Sequence, residues 1–272
     1  MSKGIRISRG LFLAAGLAGI LLSSIPAAQA GETSFASQCM YSHSAPDDPI
    51  VFPNQPGASH RHDFFGNTST NASSTYNSLV NAGTTCHLEG DTGSYWSPAL
   101  YDSGRLVAPH NALVYYRVGG KDRRTIRAFP AGLKVVAKDR NVRTFWGCGT
   151  GTGDSGSRQA NIPTCSNGTH LVLRYRFPDC WDGRNLDSAD HTSHLAFARG
   201  GDCPSSHRRP MPMLTLNIHY PGSDGGDVVL GSPNMPVAPH ADFFNSWDQE
   251  ELQRLVRVCL KAGRSCGTKP PG

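Results

Sequence analysis

Eight cysteines, none before residue 39, constrain this chain more than any other feature: Cys39, Cys86, Cys148, Cys165, Cys180, Cys203, Cys259 and Cys266. An even count in an exported chain reads as a disulfide framework. Export is expected from residues 1–30, read as a signal peptide. Lys3, Arg6 and Arg9 form its basic region, and Leu11 to Ile25 an apolar run too short to span comfortably. Ala28-Gln29-Ala30 is an A-x-A cleavage site. Residues 31–272 are then expected as a single secreted domain. No C-x-x-C pair occurs, which disfavours a zinc ribbon or thioredoxin-type motif. Sequence neighbours are the expected bridge partners: Cys148 with Cys165, Cys180 with Cys203, Cys259 with Cys266.

Between the cysteines the chain reads as strands. Charged residues are 17%, against roughly 25% on average, while Gly (30) and Pro (19) supply many turns. Strand-like runs appear at 112–118, 132–137, 170–177 and 214–220, each bounded by Gly, Pro or Asn. Leu171, Leu173, Tyr175 and Phe177 share one face of their run, as do Leu214, Leu216, Ile218 and Tyr220. No strand–helix alternation appears. The expected fold is therefore mainly β: a jelly-roll-like antiparallel β-sandwich, one domain with long loops and one C-terminal α-helix, stapled by disulfides. That helix begins after Ser246, read as an N-cap in a capping box with Gln249, and carries Leu252, Leu255, Val256 and Cys259 as its apolar stripe. Gly263 reads as its C′ residue. Residues 31–60 read as irregular, and 149–156 as a glycine-rich loop without a phosphate-loop pattern.

Charge excludes one partner class. The formal +5 includes three leader cations, so the mature chain carries about +2. Nucleic-acid binding wants a concentrated basic face, and none is expected here. No membrane segment is expected beyond the leader.

Three polar clusters carry the candidate chemistry. In the first, Ser59-His60-Arg61-His62-Asp63, the two imidazoles point the same way on an extended backbone and Asp63 the opposite way. The second runs from Phe177 to His194 and holds Trp181, Asp182, Arg184, Asp187, Asp190, His191 and His194. Paired carboxylates suit glycosidic cleavage, and Asp with His suits proton transfer or metal binding. The third, His240-Ala241-Asp242-Phe243-Phe244, precedes Trp247 and echoes the Asp-Phe-Phe of the first. Tyr95, Trp96, Tyr101, Trp181 and Trp247 stand beside these clusters as candidate sugar-stacking rings. Asn67, Asn71 and Asn167 lie in glycosylation sequons.

These segments resemble the DUF1996 family of secreted proteins, common in fungi and actinobacteria. The resemblance rests on Ser59 to His62, Thr84-Thr85-Cys86, Tyr95 to Tyr101, Phe177 to His194, Cys203 to His207, and His240 to Phe243 with Trp247-Asp248. It covers about residues 45–260. Ser246 stands where the family pattern has Gly, and Arg208 where it has Pro. Fungal members are often fused to WSC-type modules, which resemble carbohydrate-binding domains; the resemblance thus implies polysaccharide work.

The expected function is a secreted, monomeric, carbohydrate-active protein cleaving a cell-wall or environmental polysaccharide or oligosaccharide, as a hydrolase or lyase. Asp182, Asp187, Asp190, His191 and His62 are the candidate catalytic residues. His60, Arg61, Asp63, Tyr95, Trp96, Trp181, Arg184, His194, His240, Asp242 and Trp247 are candidate substrate contacts. No cofactor is fixed by the sequence; a divalent metal ion is one candidate, with His60, His62, His191 and His194 as its candidate ligands. The other readings are a non-catalytic polysaccharide-binding module and a metal-dependent hydrolase or metal-binding protein built on the histidines. A lytic-monooxygenase-type copper site is disfavoured, since cleavage would expose Gly31 rather than histidine.

Overall fold

The computed structural model describes Met1 and residues 32–138, 142–149, 161–165, 169–222 and 227–271. The rest of the leader, Asn167 and most of the glycine-rich loop lie outside the described residues. The described strands are β1 (Ser34–Ala45), β2 (His62–Gly66), β3 (Ser94–Pro98), β4 (Leu100–Asp102), β5 (Arg105–Val107), β6 (Asn111–Arg117), β7 (Lys134–Ala137), β8 (Arg143–Gly149), β9 (His170–Arg176), β10 (Cys180–Trp181), β11 (Leu195–Ala196), β12 (Arg209–Pro210), β13 (Met213–Tyr220), β14 (Val228–Leu230), β15 (Ala241–Phe244) and β16 (Ser265–Gly267).

Ten of them form one curled sheet in the order β7-β15-β3-β2-β1-β6-β13-β9-β8, with β16 added in parallel to β1. All other neighbours in it are antiparallel. β1 belongs to both halves. Its first part pairs with β6 and its last part with β2, and the register shifts between Tyr41 and His43. An irregularity of that kind bends a strand and lets it change sheets. The expected irregular stretch 31–60 thus contains the strand that joins the two halves. Its sequence hides it: Ser, Ala, Gln and His surround only Phe35, Cys39, Met40 and Tyr41, and ladder partners on both sides supply what propensity does not.

The two halves enclose the main core. Leu171, Leu173, Tyr175, Leu214, Leu216, Ile218 and Tyr220 face it from one half, as their alternation predicts, and Phe65, Tyr95, Val135 and Phe243 from the other. Trp247 closes one end, where its Nε1 donates to Tyr95 Oη (3.0 Å) and Tyr116 Oη (2.8 Å). Bridges join Cys148–Cys165, Cys180–Cys203 and Cys259–Cys266, the sequence-neighbour pairs, and Cys39–Cys86 completes four.

The C-terminal helix α2 spans Gln249–Leu255 and continues as a π-helical turn, Val256–Lys261. Its cap is Asp248, whose side chain accepts from Glu251 N (3.0 Å), rather than the expected Ser246. Ser246 Oγ instead donates to Thr92 O (2.5 Å), tying the helix start to the loop before β3. At the other end Gly263 N donates to Leu260 O and Arg264 N to Cys259 O, with Gly263 at φ +73°. That is the paired closure a C′ glycine makes possible. A short helix, α1 (Tyr76–Val80), capped by Thr75, has no counterpart in the sequence reading.

One half of the sheet is covered on both sides. Strands β2, β3, β15 and β7 send Phe65, Tyr95, Phe243 and Val135 inward and Phe64, Trp96, Phe244 and Val136 outward. The outward set packs under Ile50, Leu79 and Tyr76, so loop 46–60 and α1 roof this outer face. The functional candidates gather under that roof.

Candidate metal centre

Register brings the first and third clusters together. Phe64 of β2 and Asp242 of β15 both pair with Trp96 of β3, while His62 pairs with Pro98. One strand therefore separates His62 from His240, which directly precedes β15, and Pro98 presents no long side chain between them. The Asp-Phe-Phe echo is out of phase. In β15 Asp242 and Phe244 point outward; in β2 Phe64 does, while Asp63 and Phe65 point into the core.

Three imidazoles converge there. His60 Nε2 lies 3.1 Å and His62 Nε2 3.4 Å from His240 Nε2. His62 Nδ1–H donates to Asp47 O (3.0 Å) and His240 Nδ1–H to Ala238 O (2.8 Å). A carbonyl only accepts, so in the neutral rings both Nε2 atoms present lone pairs. Burial, then the charge of His240, lowers the pKa of His60 to about 4. Burial, with His60 and His240 as neighbours, lowers that of His62. Neutral imidazoles with outward Nδ1–H bonds and inward lone pairs are arranged as metal ligands are. Two nitrogens at 2.0–2.1 Å from a tetrahedral zinc would stand about 3.3 Å apart, close to the spacings seen.

Two carboxyls complete the cluster. Ligand atoms of Asp48, His62 and Asp242 also lie within 4.8 Å of one another. Asp242 is fully buried, and neither carboxyl oxygen has a hydrogen-bond partner. Burial, then the neighbouring Asp48, raises its pKa well above the usual carboxylate value. Asp48 is buried too. Its Oδ1 accepts from Ile50 N and Val51 N, both at 2.9 Å, which fixes the carboxyl at the roof of the site. An unpaired buried carboxylate is costly. Facing lone pairs and facing carboxylates are together relieved by a cation.

The cluster opens on a recess of about 200 Å³, lined by Asp48, Val51, Phe52, Ser59, His60, Val136, Lys138, Pro239, His240 and Asp242 among others. The second triad of close ligand groups, Cys39, Cys86 and Asp91, is no rival, because its sulfurs are in a disulfide.

The other candidates fall elsewhere. Asp63 points inward, where Ser44 Oγ donates to it, and desolvation raises its pKa to about 7. Arg61 donates to Ser44 O (3.3 Å). Tyr95, Trp96 and Trp247 are fully buried, so none offers a sugar-stacking face. Trp181 is half-buried and donates to Asn185 O (2.7 Å). Asp182 accepts from Arg184 N, Asn185 N and Asn185 Nδ2, and those bonds outweigh desolvation to lower its pKa. Asp190 accepts from Ser193 N, Thr192 N and Ser188 Oγ, which hold it well below the usual range. Both are turn-forming aspartates. His194 is buried between Ser188 Oγ (2.9 Å) and Lys134 O (2.8 Å). His191 Nδ1 meets Asp187 Oδ1 (2.9 Å), and Lys134 Nζ lies 3.7 Å from Asp187. Of the four histidines read as metal ligands, the structure thus brings together His60 and His62, and joins them to His240 instead of His191 and His194.

Asp187 nevertheless borders the same face. It lines, with Leu186, Lys134 and Phe244, an apolar pocket of about 530 Å³ whose other wall is Pro49, Pro53 and Asn54. Residues of segment 48–54 line both that pocket and the recess beside the histidines. Arg184 and Asp182 line a more polar groove of about 820 Å³ with Asn185, Ser193 and His207.

A profile described as "Domain of unknown function (DUF1996)" matches residues 48–247. The chain belongs to the DUF1996 family. All five candidate ligands of this DUF1996 protein lie inside the match, Asp48 at its start and Asp242 near its end. No curated protein and no solved structure matches the chain. Among the described residues no helix is long and apolar enough to cross a membrane.

Proposed function

We propose that this protein is a secreted, metal-dependent hydrolase of a cell-wall or environmental polysaccharide, with one divalent transition-metal ion held by His60, His62, His240 and Asp242. The observation that carries the reading is the convergence of three Nε2 atoms beside a buried, unpartnered carboxyl. Three nitrogen donors and a carboxylate suit zinc and its neighbours. A metal held by these residues would supply an activated water at neutral pH. Asp48, anchored by two backbone amides beside His62 and Asp242, would carry the proton from that water to the leaving oxygen. His60 is only half-buried and the recess is open, as a catalytic rather than a purely structural metal site requires. The polar groove with Asp182, Arg184 and Asn185 offers hydrogen bonds for sugar hydroxyls. Four disulfides fit an oxidising, extracellular setting.

The test is metal content and polysaccharide turnover on one preparation purified without chelator. One metal per chain is expected, with oligosaccharide release that chelation stops and metal restores. His62→Ala should lose both metal and release, and Asp190→Asn should keep the metal. Release from a metal-free sample, or metal retained in His62→Ala, contradicts the reading. An unsaturated, ultraviolet-absorbing product would replace hydrolysis by elimination.

A further inference from the structure

The recess in front of the metal ligands has its own chemistry. Lys138 lines it, one residue beyond β7 and on the same outward face as Val136. Among the described residues Lys138 forms no ion pair, and its charge is felt by Asp242. Ser59 lines it too, and its hydroxyl is buried without a hydrogen-bond partner. With neutral histidines, a divalent ion and Lys138 outweigh Asp48 and Asp242 by one positive charge. Once Asp242 is committed to the metal, Asp48 is the anion left among the described lining residues, and its Oδ1 is already held by Ile50 N and Val51 N, so the ammonium and the Ser59 hydroxyl stay available to a ligand. Such a set of donors awaits an oxyanion. The volume, about 200 Å³, is below the roughly 300–1,000 Å³ of pockets that enclose whole ligands. It admits one group of a longer substrate. Its remaining walls, Val51, Phe52, Val136 and Pro239, are apolar and offer nothing to a ring of neutral hydroxyls.

We propose that Lys138 and Ser59, with the metal, form a carboxylate-binding subsite, so that the substrate is a uronic-acid-containing polysaccharide. This rests on the metal reading above. It gives the substrate's charge to Lys138 rather than to Arg61, which is held by Ser44 O, or to Arg184, which lies in the separate polar groove.

Cobalt-loaded protein tests it, because the visible bands of Co(II) report changes at the metal. Galacturonate is expected to shift those bands with saturation, and galactose at the same concentration to leave them alone. Lys138→Gln should weaken galacturonate about tenfold while still binding one cobalt per chain, and Lys138→Arg should recover most of the loss. An equal response to galactose overturns the proposal, as does unchanged galacturonate binding in Lys138→Gln. Inorganic phosphate binding more tightly than galacturonate would overturn the uronate assignment in favour of a phosphate ester. Failure to bind cobalt at all would show itself before any sugar is added. That result refutes the metal reading, and the subsite falls with it.

Discussion

Asp242 is the residue on which the account turns. Its carboxyl is fully buried, has no hydrogen-bond partner and faces a second carboxyl on Asp48. In the metal-free protein that arrangement is a liability. Asp242→Asn should therefore raise the melting temperature of the chelated protein by about 3 °C, roughly 1 kcal/mol for a chain of this size. It should also weaken metal binding by about 100-fold or more. Thermal melts with chelator and with added zinc measure both effects. A variant less stable without metal and unchanged with it would contradict the assignment. The sequence made His60 and His62 legible because two histidines at alternate positions of an extended segment must share a face. It made His240 and Asp242 visible as polar residues in aromatic company. Asp48 had no signal of its own: it sits in a Pro-Asp-Asp-Pro turn, and only the roof's tertiary path brings it over β15. Lys138 was equally silent, a single cation at a strand end.

At the level of elements, alternation worked where one face is apolar and the other largely polar in residue type, even though Val172, Arg174, Asn217 and His219 of the second face are buried as well. β9 and β13 appear where their apolar residues alternate, and every inward residue of those runs is buried. The rule is less informative for β2, where adjacent Phe64 and Phe65 serve opposite faces, because the loop roof gives the second face an apolar cluster of its own. It is least informative for β1, whose small and polar residues are held by neighbours. Local capping signals misplace the helix start by two residues. Ser246 and Asp248 are both good caps, and Ser246 is taken by its bond to Thr92. Asp248→Ala should then cost about 1 kcal/mol through loss of the N-cap bond, read as a shift in urea midpoint. Ser246→Ala should be felt as a loosened loop 90–93, seen as faster amide exchange there with the α2 amides unchanged. Equal loss of α2 protection in both variants would contradict this division of roles.

For the whole molecule, pH links the core to stability. Asp91 is fully buried beneath the Cys39–Cys86 bridge, and desolvation raises its pKa to about 7 despite bonds from Tyr95 Oη (2.9 Å) and Gly93 N (3.1 Å). Its folded value lies above its unfolded value of 3.8. The stability it contributes is thus fully present below about pH 4 and is lost as pH rises through 7. Asp91→Asn should flatten the fall in melting temperature between pH 5 and 8, and a profile as steep as that of the parent would count against it. Architecture was readable from the sequence because strands, turns and cysteine spacing are local. The site was readable only in pieces. The richest polar run, Phe177 to His194, spends Asp182 and Asp190 on its own turns, and the histidines that meet are about 180 residues apart in the chain. Only the strand order β15-β3-β2 puts them side by side.

X-ray absorption at the zinc edge, on protein loaded with one equivalent of zinc, decides whether the proposed metal site exists. A four- or five-coordinate zinc is expected, with three imidazoles at about 2.0–2.1 Å and oxygen in the remaining positions, and with loss of imidazole scattering in His62→Ala. Zinc ringed by water and carboxylate oxygens alone, or an imidazole signal that survives His62→Ala unchanged, would contradict it.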